Sequence, residues 1–125
     1  MLDQDAFSTW MDIVIIELEK GSCVLSCKIK PEMLNGFEIL HGGITYSLSD
    51  SALAFAANSY GYKCVSIETS ISHIRPVLNN QILTVKASEI HRGKTIGLYQ
   101  VDIYNEENKI VSKFKGTVNI SPDIW

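Results

Sequence analysis

The run His41-Gly42-Gly43-Ile44-Thr45-Tyr46-Ser47-Leu48-Ser49-Asp50-Ser51-Ala52-Leu53-Ala54-Phe55-Ala56-Ala57-Asn58-Ser59 decides the reading of this chain. After its opening glycines it is small or apolar almost all the way round a helical wheel. That is the pattern of a helix enclosed in a core rather than laid on a surface. A helix is expected from about Gly42 to Tyr60, with Gly61 as its stop. One carboxylate, Asp50, stands in its middle. An unpaired charge is costly to bury, and the positions three and four residues away (Tyr46, Ser47, Leu53, Ala54) hold no Lys or Arg. Two readings stand: an Asp facing solvent or bonded to a nearby serine, or a carboxylate kept for chemistry. A residue that contradicts its local burial pattern favours the second.

The flanks supply strands. Ile13 to Leu18 and Cys23 to Ile29 read as two strands around a Lys20-Gly21 turn, the second ended by Pro31. A turn-rich loop carrying Asn35-Gly36 leads to His41. Four strands follow the helix: Val65 to His73, Ile82 to Ile90, Thr95 to Tyr104 and Lys109 to Ile120. In the first of these, Val65, Ile67, Thr69, Ile71 and His73 alternate onto one face, opposite Ser66, Glu68, Ser70 and Ser72. Short turns between consecutive strands predict an antiparallel meander. The order implies an α+β fold, one antiparallel sheet wrapped around one long central helix. Such a sheet keeps free edges, and continuing it across a second copy of the chain is one way to cover them.

At 125 residues, the length predicts one domain spanning 1–125. Apolar residues at 46% and charged residues at 20% are ordinary for a soluble globular protein. A net charge of −3 argues against a general nucleic-acid or anionic-membrane binder. No run approaches the ~18 apolar residues of a membrane span. The acidic N-terminus (Asp3, Asp5, Asp12) lacks the basic region of a secretory signal. Cys23, Cys27 and Cys64 show no metal-ligand spacing, and three cannot all pair. Reduced, buried thiols and a cytoplasmic setting are the expectation.

The helix start offers a second functional element. Free N–H groups and the positive end of the helix dipole at Gly42-Gly43 suit an oxygen that gains negative charge, although glycine there can also simply relieve crowding. Gly42 and Asp50 lie eight residues apart, about 12 Å along a helix. Reacting atoms must come within roughly 3–3.5 Å. If both act on one substrate, Asp50 must come from a second subunit, so joint use predicts a dimer with shared sites. His41 reads as a general base or, more simply, as a loop-fixing residue; Asn35 reads as a water-orienting amide or as the turn residue of Asn-Gly. His73, on the apolar face of its strand, reads as a core or interface packing residue. Arg75, Arg92 and Lys94, with Lys63, are surface charges singly and a phosphate-binding rim if clustered. Nucleotide-binding glycine loops and the nucleophile elbow of serine hydrolases are absent from the sequence.

From about Met33 to Ile120 the chain resembles the hotdog-fold acyl-CoA thioesterases, in particular their phenylacetate-pathway (PaaI-type) branch. The resemblance rests on Asn35-Gly36, His41-Gly42-Gly43, Asp50-Ser51-Ala52, Phe55-Ala56, Asn58-Ser59, Arg75-Pro76 and Gly93-Lys94. It implies hydrolysis of a coenzyme A thioester, for example of a phenylacetyl or hydroxyphenylacetyl group, without metal or other cofactor. Gly42 would hold the thioester oxygen; Asp50 of the facing subunit would be nucleophile or general base; Asn35 and His41 would position the attacking group. Gly43, Thr69, Arg75, Arg92, Gly93 and Lys94 would contact substrate, the basic residues at the CoA phosphates, in a homotetramer built from two dimers. Family members often carry a small polar side chain on the strand after the helix. The matching position here reads as Ile67, with Thr69 as a substitute. A hotdog hydratase or dehydratase is the rival enzyme, but it would need a catalytic His in the helix. An acyl-CoA sensing module is the rival non-enzyme.

Overall fold

Residues 5–125 are described by the computed structural model. The apolar run folds into a helix, α2, over Gly42–Asn58, and a short helix, α1, occupies Ala6–Trp10 near the N-terminus. The strands are β1 (Val14–Glu19), β2 (Ser22–Lys28), β3 (Tyr62–His73), β4 (Ile82–Arg92), β5 (Ile96–Tyr104) and β6 (Ile110–Ile124). They make one antiparallel sheet in the order β1-β2-β4-β5-β6-β3. Its concave side holds α2, and this is the expected wrapped-helix architecture.

Alternation along the strands places the apolar residues beneath the helix. Leu25 lies opposite Val85, which lies opposite Ile103, so one row of fully buried side chains crosses three strands. Leu48, Ala52, Leu53 and Ala56 of α2 press into that surface and are buried. Removing a buried leucine from such a site costs about 2–5 kcal/mol. Gly116 of β6 lets the sheet approach the helix, since a Cβ there would stand 2.8 Å from Leu53 Cδ2. Gly61 takes φ +95° and turns the chain after the helix, as expected for a C-terminal glycine.

Two strand expectations need correction. The four later strands are not a simple meander. Only β4, β5 and β6 are consecutive neighbours, while β3 lies beyond β6 as an edge strand. The cause is residues 74–81, which are no tight turn. They run past the start of α2, where Leu40 N–H donates to Val77 O (2.8 Å) and Ile74 N–H to Val111 O (2.8 Å), with Val77 buried.

The second correction concerns β3. Its pairing with β6 slips between Ser66 and Glu68, so Ile67 is a bulged residue. The bulge exchanges faces: Ser66 points inward, and Val65 and Ile67 are 68% and 59% exposed. Beyond it Thr69 and Ile71 return to the inner side, as the sequence pattern expects.

α1 was not foreseen. Asp5 caps it, accepting from Ser8 N–H (3.0 Å) and Ser8 Oγ–H (2.7 Å), a local motif that starts helices. Ser8 Oγ also meets Ser51 Oγ (3.0 Å), which fastens α1 to α2. The three cysteines are free; Cys23 and Cys27 are buried and Cys64 is half-buried. Burial pushes the Cys23 and Cys27 thiols up to about 11, so neither is a ready thiolate. No helix among the described residues is long and apolar enough to cross a membrane.

Candidate active site

The first turn of a helix has N–H groups without intrahelical acceptors. His41 satisfies one of them: it is the N-cap residue, and its Nδ1 accepts from Gly43 N–H at 2.8 Å. Its own N–H donates to Met33 O (2.9 Å), tying the cap to the preceding loop. Gly43 N–H, expected at the substrate, is therefore occupied. Gly42 N–H has no acceptor among the described residues and opens on a cavity of about 400 Å³. Asn35, Thr45, His73 and Arg75 line the same cavity.

Asn35 holds its loop from within. Its Oδ1 accepts from Phe37 N–H (2.9 Å) and Ile39 N–H (3.4 Å), and its backbone N–H donates to Ile39 O (2.8 Å). These bonds are those of the turn residue that Asn-Gly favours, and Asn35 also lines the cavity. His73 is not a core residue. Its exposed ring lies against Gly42, where an added Cβ would stand 3.1 Å from Nε2. A larger residue at position 42 would push the His73 ring back by a few tenths of an ångström.

Asp50 sits two turns further along α2, half-buried, on the side of the helix that the sheet leaves uncovered. Tyr46, Ser47, Ser51 and Ala54 share that side. No ion pair among the described residues involves Asp50. Burial raises its pKa above the usual carboxylate value, and the Ser66 hydroxyl across the adjoining cavity opposes the rise. A carboxyl held partly out of water is a better base near neutral pH than an exposed one. Two cavities meet at Asp50. One, of about 180 Å³, runs between Ser66, Cys64, Leu53 and Val118; the other, of about 290 Å³, lies against Asp5 and Phe7 of the α1 region. On β3 the small polar side chain lining the cavity at Asp50 is Ser66, while Ile67, the position expected there, is exposed. The bulge that places Ser66 there leaves no mark in a two-residue alternation.

Thr69 is engaged by Tyr46, whose hydroxyl hydrogen-bonds its Oγ1 one turn before Asp50. The basic residues do not cluster within one chain. Arg75 is exposed beside the Gly42 cavity, with one N–H given to Ile110 O (2.6 Å). Arg92 lies at the opposite end of α2. It donates to Ala57 O (3.1 Å) and Tyr99 Oη (2.9 Å) and stacks 3.9 Å over the Tyr60 ring. Gly93 and Lys94 form the exposed β4–β5 turn beside it, and Lys63 covers the Trp125 ring in the segment after Gly61.

Gly42 and Asp50 stand on one unbroken helix, so the separation of about 12 Å derived from their spacing applies. One chain therefore presents a backbone N–H without an acceptor and a carboxylate on the same helix, too far apart to reach one small group together.

Comparison with known proteins identifies the family and the fold. The thioesterase superfamily matches residues 37–112. The Escherichia coli acyl-coenzyme A thioesterase PaaI is 36% identical over 116 residues, covering 93% of this chain and 83% of that protein. Human acyl-coenzyme A thioesterase 13 is 25% identical over 111 residues, 86% of this chain and 79% of that one. The structure of E. coli PaaI superposes with a TM-score of 0.97 at 34% identity, covering 99% of this chain and 90% of that one. A Streptococcus pneumoniae thioesterase solved with coenzyme A superposes at 0.93 with 27% identity, covering 99% and 97%. The chain belongs to the thioesterase superfamily, as a hotdog-fold thioesterase of the PaaI type.

Proposed function

We propose that this chain hydrolyses aromatic acyl-CoA thioesters, of the phenylacetyl or hydroxyphenylacetyl kind, to the free acid and CoA. The observation that carries the reading is the pair of half-sites on α2: a donor-only Gly42 N–H on a cavity, and an unpaired, half-buried Asp50 two turns away. The name of the E. coli relative supports the thioester, and its place in a phenylacetic acid degradation operon supports the aromatic acyl group.

In the proposed reaction, the thioester oxygen accepts from Gly42 N–H of one subunit. Asp50 of the facing subunit takes a proton from a water, whose oxygen bonds to the carbonyl carbon. Negative charge collects on the oxygen facing Gly42 and is stabilised there. Collapse breaks the C–S bond, and the CoA sulfur leaves with the proton Asp50 had taken. Alternatively the Asp50 carboxylate attacks the carbonyl carbon, the C–S bond breaks with CoA leaving as the thiolate, and the resulting anhydride is opened by water adding to the Asp50 carbonyl carbon, which releases the free acid. Single-turnover hydrolysis in ¹⁸O water separates the two, since only the anhydride route puts label into Asp50. Asn35 and His41 hold the loop and helix start, and Ser66 supports Asp50.

Two subunits with antiparallel helices satisfy the geometry, and the exposed β3 edge is a surface on which the sheet can continue. In that pairing Arg75 of one subunit approaches the end of the other that carries Lys63, Arg92, Gly93 and Lys94, which supports a composite site for the CoA phosphates. A homotetramer of two such dimers, in a reducing cytoplasm suited to three free thiols, completes the proposal.

The test measures CoA release from aryl- and fatty-acyl-CoA esters by wild type and Asp50→Ala. Preference for aryl esters and a loss of about 10²–10⁴-fold in the variant are expected. Activity that survives Asp50→Ala within a few-fold sinks the role of Asp50. Binding without turnover in the wild type favours a sensing module, and a monomer that hydrolyses well refutes the shared site.

A further inference from the structure

The proposed reaction gives His73 no part, yet its ring lies beside the Gly42 donor. Its Nδ1 stands 3.2 Å from Thr45 Oγ1, and Thr45 Oγ1 stands 2.9 Å from Gly42 O. A carbonyl oxygen only accepts, and a threonine hydroxyl has one proton to give. The one proton arrangement that satisfies both contacts has Thr45 donating to Gly42 O and His73 Nδ1–H donating to Thr45. In a neutral imidazole that leaves Nε2 as an acceptor. Nε2 is the atom 3.1 Å from the point a Gly42 Cβ would occupy, and His73 lines the cavity into which Gly42 N–H opens. The cavity therefore presents a donor and an acceptor a few ångströms apart. The charged side chain of the cavity is Arg75, and Asn35 also lines it.

We infer that His73 is a substrate-positioning residue: its Nε2 accepts a hydrogen bond from the amide N–H of the substrate's thiol arm while Gly42 N–H holds the thioester oxygen. This rests on the proposed thioester hydrolysis at Gly42. A coenzyme A thioester carries its nearest amide two carbons from the sulfur, so carbonyl oxygen and amide N–H form a complementary acceptor–donor pair. A simple alkyl thioester offers only the first. His73 would thus select for the thiol arm rather than for the acyl group, and it would do so without touching the reacting atoms.

The experiment compares two phenylacetyl thioesters, of N-acetylcysteamine and of ethanethiol, with wild type, His73→Phe, His73→Gln and Asp50→Ala. His73→Phe keeps a ring against Gly42 and removes both nitrogens. It is expected to lose about five- to tenfold in kcat/KM on the amide-bearing ester, the worth of one neutral hydrogen bond, and under twofold on the ethanethiol ester. His73→Gln, whose side-chain oxygen reaches the Nε2 position, is expected to restore most of the difference. Equal losses on both esters show a structural role and overturn the inference, as does no loss on either. Asp50→Ala is the control for the underlying reading. It is expected to abolish turnover of both esters, and its failure breaks that reading while the His73 comparison between esters stays interpretable.

Discussion

The two ends of α2 are treated in opposite ways. At the C-terminal end the chain satisfies its own polar groups. Ser59 Oγ donates to Ala56 O (2.6 Å) and accepts from Gly21 N–H (2.8 Å). Asn58 donates to Ala54 O (2.7 Å) and accepts from Cys64 N–H (2.9 Å) and Trp125 Nε1–H (3.1 Å). Arg92 joins Ala57 O to Tyr99, and the Tyr99 and Tyr60 hydroxyls both donate to Glu89 Oε1 (2.9 and 3.0 Å). At the N-terminal end His41 closes one donor, and the Gly42 donor is left facing a cavity. Buried polar groups that find partners are structure, and those left without them need another explanation. In the proposed reaction, the open end is the one that the thioester oxygen completes.

Asp50, between the ends, is the sharpest way to test that division. Asp50→Asn is nearly isosteric and cannot take a proton from water, so hydrolysis should fall by about 10²–10⁴-fold. Stability should move the other way. Because burial raises the folded-state pKa of Asp50, the protonated carboxyl is the form the fold favours. Its contribution is greatest below the unfolded-state pKa and is lost as pH rises through the folded one. The Asn variant should therefore melt above wild type at pH 7, with the gap narrowing as pH falls through the carboxylate range. Thermal melts across pH on the assembled protein check this, and a variant less stable at pH 7 would make Asp50 a structural residue.

The closed end makes the converse prediction. Arg92→Ala removes the group that links a helix carbonyl, a buried tyrosine and the Tyr60 ring. A stability loss of about 1–3 kcal/mol is expected for leaving those groups without their charged partner. Chemical denaturation measures it. KM for acyl-CoA should rise as well, because Arg92 also belongs to the proposed phosphate site. A rise in KM with unchanged stability would mean that Arg92 serves the substrate alone, and would erase the contrast between the two ends.

How much of this was legible follows from range. The helix, its glycine stop and six strands are written in local periodicity, and so was the conflict at Asp50. The half-site argument needed only 1.5 Å per residue. What escaped depends on contacts distant in sequence. Nothing in residues 65–73 distinguishes a regular strand from one bulged at Ile67, because the slip is set by pairing with Gly116, Thr117 and Val118. The place of β3 beside β6 depends on where residues 74–81 pass the helix. Arg92 looked like a surface cation because Ala57 and Tyr99 are far away in the chain. α1 is a different case: Asp5 and Ser8 form a readable cap, overlooked because the helix after it is only five residues long.

Ser66 is where that missed bulge has a measurable consequence. Its hydroxyl favours the ionised form of Asp50 against the desolvation that opposes it. Ser66→Ala leaves desolvation unopposed, so the Asp50 pKa should rise further. More of the base is then protonated at any mildly acidic pH, and the acid limb of the kcat/KM profile should move to higher pH. At pH values well above that limb, where Asp50 is ionised in both proteins, the loss should shrink to a few-fold. Ile67→Ala serves as the comparison. Its side chain is 59% exposed on the outer side of the bulge, so in the isolated chain it touches neither Asp50 nor its cavity. If β3 is the dimer edge, Ile67→Ala weakens association and its activity loss depends on protein concentration, while its acid limb stays where it was. An acid limb that moves in Ile67→Ala and not in Ser66→Ala would mean that the strand runs in register through position 67. The regular two-residue alternation would then be the correct reading of β3 after all.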